Sequence, residues 1–209
     1  PPQSFEATLG DAFGLAGNVP WAPFRLLGES AAPAAADGCW LCADPVHLRL
    51  HQERLILADG SSLEIALDEA QAIADELNRQ FADIGSFHVA TADRWYLKLA
   101  ADTNLGDFDV LPLSAIAGRR VGSQLPATPQ ARALRQLLNE VQMVLFGQPA
   151  NERREQSGRP TINSLWLWGA GVLPVARAAA FAGVWSSDPL TRGLARACGI
   201  AVQEQPANA

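Results

Sequence analysis

Asn163-Ser-Leu-Trp-Leu-Trp-Gly-Ala-Gly171 joins an apolar run to a pair of glycines. Leu165, Trp166, Leu167 and Trp168 in succession predict a short buried strand, and Gly169 and Gly171 after it admit backbone angles and close approaches that other residues resist. Ahead of the strand, Asn151-Glu-Arg-Arg-Glu-Gln-Ser-Gly-Arg-Pro160 reads as a polar loop. Its Arg153, Arg154 and Arg159 have the planar donor forks that clamp phosphate or carboxylate. Strand, glycine turn and arginine loop together make the pattern of an anion-binding corner in an α/β protein. The plainer alternative is a solvated loop before an ordinary core strand.

Working outward, the flanking sequence alternates helix and strand. A helix is predicted from Pro129 to Phe146, another near Pro174 to Phe181, a strand at Val184 to Ser186, a helix from Pro189 to Cys198 and a strand at Ile200 to Gln203. Such alternation predicts parallel βαβ connections. Residues 119–209 therefore read as part of an open parallel α/β sheet. Residues 39–118 have a different grammar. Val46, Leu48 and Leu50 alternate with His47, Arg49 and His51, and Leu55 to Ala58 follow as a second run closed by Asp59-Gly60, which predicts a hairpin. Asp68 to Phe81 places Ala70, Ile73, Ala74, Leu77 and Phe81 on one helical face. Ser86 to Ala90 and Arg94 to Leu99 predict a second hairpin, with Trp95, Leu97 and Leu99 facing one way and Arg94, Tyr96 and Lys98 the other. Two hairpins and one helix make an α+β module, inserted into the α/β segment or adjoining it. Residues 1–38 read as an amphipathic helix, capped by Ser4 and stopped by Gly14 and Gly17, with an alanine-rich linker over Glu29 to Gly38.

Composition narrows the function. The chain has 209 residues, is 48% hydrophobic and 18% charged, which suffices for a sizeable core. A formal charge of -6 opposes a general nucleic-acid surface, which needs clustered cations. No apolar run is long enough to span a bilayer and no signal peptide is read, so a cytoplasmic protein without membrane association is expected. Three cysteines cannot pair completely, which fits a reducing compartment. Cys39 and Cys42 have redox or metal-ligand spacing, but no second Cys pair or nearby His pair completes a zinc site, and they read as buried or half-buried thiols. His47 and His51 lie about 13 Å apart on a strand, too far to share one metal. With His88 they read as exposed or hydrogen-bonded histidines. No Gly-x-Ser-x-Gly elbow, dinucleotide fingerprint or P-loop is present, and no base is identifiable beside Ser164. No catalytic residue, metal ligand or cofactor is therefore nominated. The candidate ligand contacts are Arg94, Asn151, Arg154, Arg159 and Asn163, with Gly169 and Gly171 shaping the corner, and Arg192 lies early in a predicted helix. The expected partner is a small phosphorylated or carboxylate metabolite, and self-association is left open.

At these residues the chain resembles a known family. Asn151-x-x-Arg154 followed by Gly158-Arg-Pro-x-x-Asn163-Ser-Leu-Trp-Leu-Trp-Gly-Ala-Gly171 is similar to a segment of archaeal-type cofactor-independent phosphoglycerate mutases. The likeness extends to the helix over Ile65 to Asn78, to Arg94-Trp-Tyr-Leu97, and to Asp188-Pro-Leu-Thr-Arg-Gly193. A nearer likeness, through Pro20-Trp21-Ala22 and Asn139-Glu-Val-Gln-Met143, is to a proteobacterial branch labelled phosphoglycerate mutase or regulatory protein for pathogenicity factors, type E. The resemblance implies a partial alkaline-phosphatase-like sheet. It also implies a metal-dependent phosphoryl transfer that this sequence does not support on its own: the acidic metal motif, the phosphoryl-accepting Ser or Thr and the late Asp/His ligands are not found. Ala170 replaces the glutamine of the glycine turn, and Arg159 replaces a lysine. The expectation is a mutase-like protein that binds an anion without catalysis. The rivals are an active mutase or phosphatase whose metal ligands lie on a segment outside this sequence, and a structural or protein-interaction module.

Overall fold

The computed structural model describes residues 4–29, 37–51, 54–105, 110–116, 129–175 and 180–203. Its elements are α1 (Phe5–Ala12), α2 (Trp21–Gly28), β1 (Trp40–His51), β2 (Arg54–Asp59), α3 (Leu67–Gln80), β3 (Gly85–Thr91), β4 (Arg94–Leu99), α4 (Leu113–Ile116), α5 (Arg132–Phe146), α6 (Pro149–Gln156), β5 (Ser164–Gly171), β6 (Val184–Trp185), α7 (Pro189–Ala197) and β7 (Val202–Gln203). Both hairpins form as the alternation predicts, β1 with β2 and β3 with β4, and β1 pairs antiparallel with β4. The helix α3 packs on β3 and buries Ala70, Ile73, Ala74 and Leu77. The result is a mixed α/β architecture.

The tryptophan strand departs from the expected parallel sheet. β5 pairs antiparallel with β1, through Cys42↔Trp168, Ala43↔Leu167, Asp44↔Trp166 and Pro45↔Leu165, and so joins the sheet of the two hairpins. A continuous apolar run reports that a strand is covered, not which way its neighbour runs. Here α2 and α5 pack against β5, and Ser164 to Trp168 are all buried. The parallel pairing that was expected is found one step later, between β6 and β7, across α7.

Two further differences have local causes. The arginine loop is the helix α6, started by Pro149, whose missing N–H is no loss at a first turn. The helix α2 is not evident in the sequence because Pro23 interrupts its pattern. Within the first turn, however, proline is tolerated. Val172 to Val175 are not helical, and residues 176–179 of the helix expected there lie outside the described residues, as does most of the alanine-rich linker. At the N-terminus, the Ser4 hydroxyl accepts from the Ala7 amide as a cap, and Gly14 and Gly17 adopt positive φ beyond the helix end.

Cross-strand partners share a sheet face. Trp40 opposite Lys98, and Cys42 opposite both Tyr96 and Trp168, therefore put these side chains and Asp44 on one side of the sheet. The Asp44 side chain meets α2 there. Helix α7 lies against α2 in very close contact: a Cβ on Gly28 would stand 1.7 Å from the Pro189 carbonyl oxygen, and one on Gly193 1.6 Å from that of Phe24. Phe13, Val19, Phe24, Leu190 and Leu194 form a second small core between α1, α2 and α7.

A candidate ligand cleft between the sheet and helix α2

Arg25 on α2 reaches across to β1. Its Nη1 and Nη2 donate to Asp44 Oδ2 and Oδ1 at 2.8 and 2.7 Å, a two-pronged ion pair with both partners buried. Its Nε donates to the Tyr96 hydroxyl at 2.9 Å, and Nη2 also donates to the Trp95 carbonyl at 3.2 Å. The guanidinium stacks 4.7 Å from the Tyr96 ring centroid and 5.3 Å from that of Trp168. Trp168 Nε1 donates to Asp44 Oδ2 at 2.8 Å, so this carboxylate accepts from three directions. The Tyr96 hydroxyl donates to Glu29 Oε1 at 2.9 Å. Glu29 in turn receives Arg94 Nε at 2.8 Å and Nη2 at 3.1 Å. Two arginines on different elements are thus joined through one phenol.

Burial alone would lower the Arg25 pKa, but the Asp44 carboxylate together with Cys42 and Tyr96 offsets it, and the guanidinium is held well above its usual value. Burial pushes the Tyr96 hydroxyl well above its ordinary range, so it remains a proton donor to Glu29. The hydrogen bond from Arg94 to Glu29 raises the Arg94 pKa. Beside this network opens a cleft of about 280 Å³, walled by two guanidiniums (Arg25, Arg94), five carboxylates (Glu6, Asp44, Asp59, Asp93, Asp188) and the hydroxyls of Ser61 and Ser114. Several carboxylates are already committed: Asp59 and Asp188 cap helix starts, and Glu6 accepts the Ser114 hydroxyl at 2.5 Å. Arg94 is the more open cation, its side chain 30% exposed against 8% for Arg25.

The residues nominated from sequence are divided by the fold. Arg94 lies on the cleft. Arg154 is fully buried on the α6 side, where Nη1 donates to Glu69 Oε2 at 2.9 Å, Nε to the Pro160 carbonyl at 2.7 Å and Nη2 to the Leu63 carbonyl. Arg159 shares Glu69 at 3.4 Å. Asn151 is buried and bridges backbone: its Nδ2 donates to Leu145 O at 2.7 Å and Ile162 O at 2.8 Å, and its Oδ1 accepts from Ile162 N at 2.8 Å. Asn163 acts as one more residue of the ladder, with its amide accepting from Leu48 N at 2.7 Å and donating to Leu48 O at 2.8 Å. Each of these four makes its bonds inside the protein. Gly169 and Gly171 continue β5, at φ 65° and 150°. A Cβ on Gly169 would lie 2.9 Å from Trp21 Cβ, and one on Gly171 2.6 Å from Pro20 Cβ. The glycines therefore let the start of α2 seat against β5, which is what carries Arg25 to Asp44.

Arg25, Glu29, Asp44 and Tyr96 were not singled out in the sequence. The available signal was a lone acid in an apolar stretch: Asp44 lies buried within Trp40-Leu-Cys-Ala-Asp-Pro-Val46, and a buried carboxylate requires a cationic partner. Arg25 within the apolar Trp21-Ala-Pro-Phe-Arg-Leu-Leu27 was its counterpart. The Nε of Arg192 is buried and makes no hydrogen bond. His47 donates from Nδ1 to the Thr161 carbonyl at 2.8 Å and His88 pairs with the Ser86 hydroxyl at 2.9 Å, while the His51 side chain is outside the described residues. Among the described residues, no group of three or more His, Cys, Asp or Glu is placed to hold a metal ion. No described helix is long and apolar enough to cross a membrane.

Over 152 residues the chain is 28% identical to the 2,3-bisphosphoglycerate-independent phosphoglycerate mutase of Methanosarcina mazei, a match covering 70% of this chain and 38% of that protein. The probable 2,3-bisphosphoglycerate-independent phosphoglycerate mutase of Geobacter sulfurreducens is 35% identical over 100 residues, 44% of this chain and 25% of the relative. The chain is a relative of the 2,3-bisphosphoglycerate-independent phosphoglycerate mutases. It spans about 38% of the length of the first of these curated mutases. No family model matches the sequence. The solved cofactor-independent phosphoglycerate mutase from Thermoplasma acidophilum is similar at a TM-score of 0.48 and 19% identity, covering 89% of this chain and 52% of that mutase chain.

Proposed function

We propose that this mutase relative binds a small phosphorylated or carboxylate metabolite in the cleft at Arg25 and Arg94, without catalysing its rearrangement. One observation carries the reading: Arg94, part exposed and fixed by Glu29, faces a cleft that also offers carboxylates and serine hydroxyls. Such a wall suits a ligand of mixed character. A guanidinium receives the anionic end through charge-assisted bonds, while carboxylates accept protons from ligand hydroxyls. A purely anionic ligand would be opposed by the acidic side of the cleft. A phosphorylated hydroxy acid satisfies both, and the names of the mutase relatives point to phosphoglycerate as the probe.

Calorimetric titration with 3-phosphoglycerate tests the site. Saturable binding at low millimolar ligand is expected, weakened about tenfold by Arg94→Gln, since one charge-assisted hydrogen bond contributes roughly 1.5 kcal/mol. No saturation at about 10 mM, a ligand free energy weaker than roughly -3 kcal/mol, rules the proposal out. Phosphorus NMR of the same mixture with added magnesium or manganese should show no 2-phosphoglycerate, and its formation would overturn the non-catalytic part.

A second reading rests on a separate feature of the same cleft. The Ser114 hydroxyl donates at 2.5 Å to Glu6, a carboxylate only 4% exposed, and a hydroxyl so paired is the first element of a nucleophile. In that reading Oγ attacks phosphorus, Glu6 takes its proton, and glycerate leaves protonated by water. Phosphoserine at Ser114 after incubation with 3-phosphoglycerate would favour it.

A further inference from the structure

Near Trp40 and Lys98 the same sheet borders a second cavity, of about 540 Å³, lined by Asp37, Gly38, Cys39, Lys98, Ala101, Thr103 and Ala170 among others. Lys98 is the one lysine in the sequence. Its ammonium lies 5.6 Å from the Trp40 ring centroid and 3.2 Å from Asp37 Oδ2. Asp37 is 82% exposed, so this ion pair is a surface contact that holds the lysine weakly. The path of the lysine stem is better defined. A Cβ on Gly38, which has φ +83°, would stand 3.0 Å from Lys98 Cε, so both the conformation and the space at position 38 are those of glycine.

The remaining groups limit the ligand. Burial raises the pKa of the Cys39 thiol, which therefore adds no negative charge near neutral pH. The His88 ring meets Trp40 at a tilt of 54° with centroids 5.2 Å apart, and burial, then Lys98, lower its pKa. The polar lining beyond Lys98 and Asp37 includes Thr103, whose hydroxyl already donates to Asp83 O at 3.3 Å, and Asn104. Leu99, Ala100, Ala101, Leu105 and Ala170 supply an apolar wall. One cation beside an apolar wall does not match the charge of a phosphate dianion, which calls for several donors. It matches one carboxylate on a compact aliphatic body.

The geometry points to a monocarboxylate-binding site at Lys98, separate from the cleft at Arg25 and Arg94. The carboxylate takes the place of Asp37 at the ammonium, and the aliphatic body lies along Leu99, Ala101 and Ala170. With a single lysine, selective labelling of lysine with carbon-13 at Cε gives one resonance at the site. Titrated with sodium butyrate, that resonance should shift and saturate. Butanol, of the same shape without the charge, should leave it unmoved, and inorganic phosphate should bind more weakly. Ala101→Phe, at an exposed position, should abolish the butyrate effect by filling the cavity. Asp37→Asn should tighten butyrate about threefold, the scale of an exposed ion pair that no longer competes. In Lys98→Met, the His88 ring signals should no longer respond to butyrate, which keeps a reporter where the lysine is lost. A linear, unsaturating response, an equal response to butanol, phosphate binding as strong as butyrate, or indifference to Ala101→Phe would each overturn the assignment.

Discussion

Arg154→Met separates a structural arginine from a ligand-binding one. The side chain is fully buried and bonds to Glu69, Pro160 O and Leu63 O, linking α6, α3 and the loop that enters β5. Methionine fills much of the volume but leaves Glu69, only 6% exposed, without its main cation. Removing one partner of a buried pair costs about 4 kcal/mol, the usual range for an uncompensated interior charge. That is a large share of a typical folding stability of roughly 5 to 15 kcal/mol. For a chain of this size it corresponds to a fall in Tm of about 8 to 16 °C. Urea unfolding followed by tryptophan fluorescence measures the loss directly. The double variant Arg154→Met with Glu69→Leu should recover about half, because the stranded charge is gone but the bond from Ala66 N to Glu69 Oε2 at 3.1 Å, which closes the start of α3, goes with it. Binding of 3-phosphoglycerate to the folded fraction of Arg154→Met should match the parent. A variant of parental stability that has lost ligand binding would refute this reasoning and return Arg154 to the ligand.

Gly193→Ala should destabilise by about 3 kcal/mol, since a methyl group 1.6 Å from the Phe24 carbonyl forces α7 away from α2; the urea midpoint reports it, and a change within about 0.5 kcal/mol would show that the helix contact is looser than described. Burial and Lys98 lower the folded His88 pKa below its unfolded value near 6.5, so the unfolded chain binds the proton more tightly. The stabilising contribution of neutral His88 is complete above about pH 6.5 and is lost as pH falls through the folded pKa. Unfolding stability should therefore rise with pH across that window, and the rise should shrink in His88→Gln; an NMR titration placing the folded pKa above the unfolded one would contradict the sign.

Periodicity in the sequence was enough to place the two hairpins, α3, α5 and α7, because in each the apolar residues recur at strand or helix spacing between turn signals. β4 begins and ends at the residues expected, Arg94 and Leu99. What periodicity does not carry is the direction of a strand covered on both faces, and so β5 was assigned to the wrong sheet. Nor does it tell a polar helix from a polar loop: α6, Pro-Ala-Asn-Glu-Arg-Arg-Glu-Gln, has almost no apolar face, and only Pro149 marks its start. Of the residues nominated from sequence, Arg94 is the one that lines the candidate cleft. Asn151, Arg154 and Asn163 stood out for a real reason, being polar residues at fixed places around a buried strand, but side-chain amides and guanidiniums tie down backbone as readily as they bind anions. Choosing between these roles requires knowing whether Glu69, Leu48 and Ile162 are within reach, and no spacing rule reports that.

The glycines at the end of β5 connect the motif to the cleft in a way that neither feature shows alone. Because Gly169 and Gly171 carry no side chain, the start of α2 approaches the sheet closely enough for Arg25 to meet Asp44 at both carboxylate oxygens. Stability is a poor explanation for that pair. Apolar residues of similar volume in place of a buried ion pair often stabilise by 1 kcal/mol or more, about the scale reported for such exchanges. An arrangement chosen for stability alone would favour leucine at these two positions. What the ion pair does provide is orientation: Asp44 fixes the guanidinium plane, Tyr96 and Trp168 hold its faces, and the phenol relays the constraint through Glu29 to Arg94. A cation held this way loses little freedom when an anion arrives, which is where preorganised sites gain affinity. In the proposed function, the glycine pair would serve ligand binding through the seating of a helix, not through contact with the ligand.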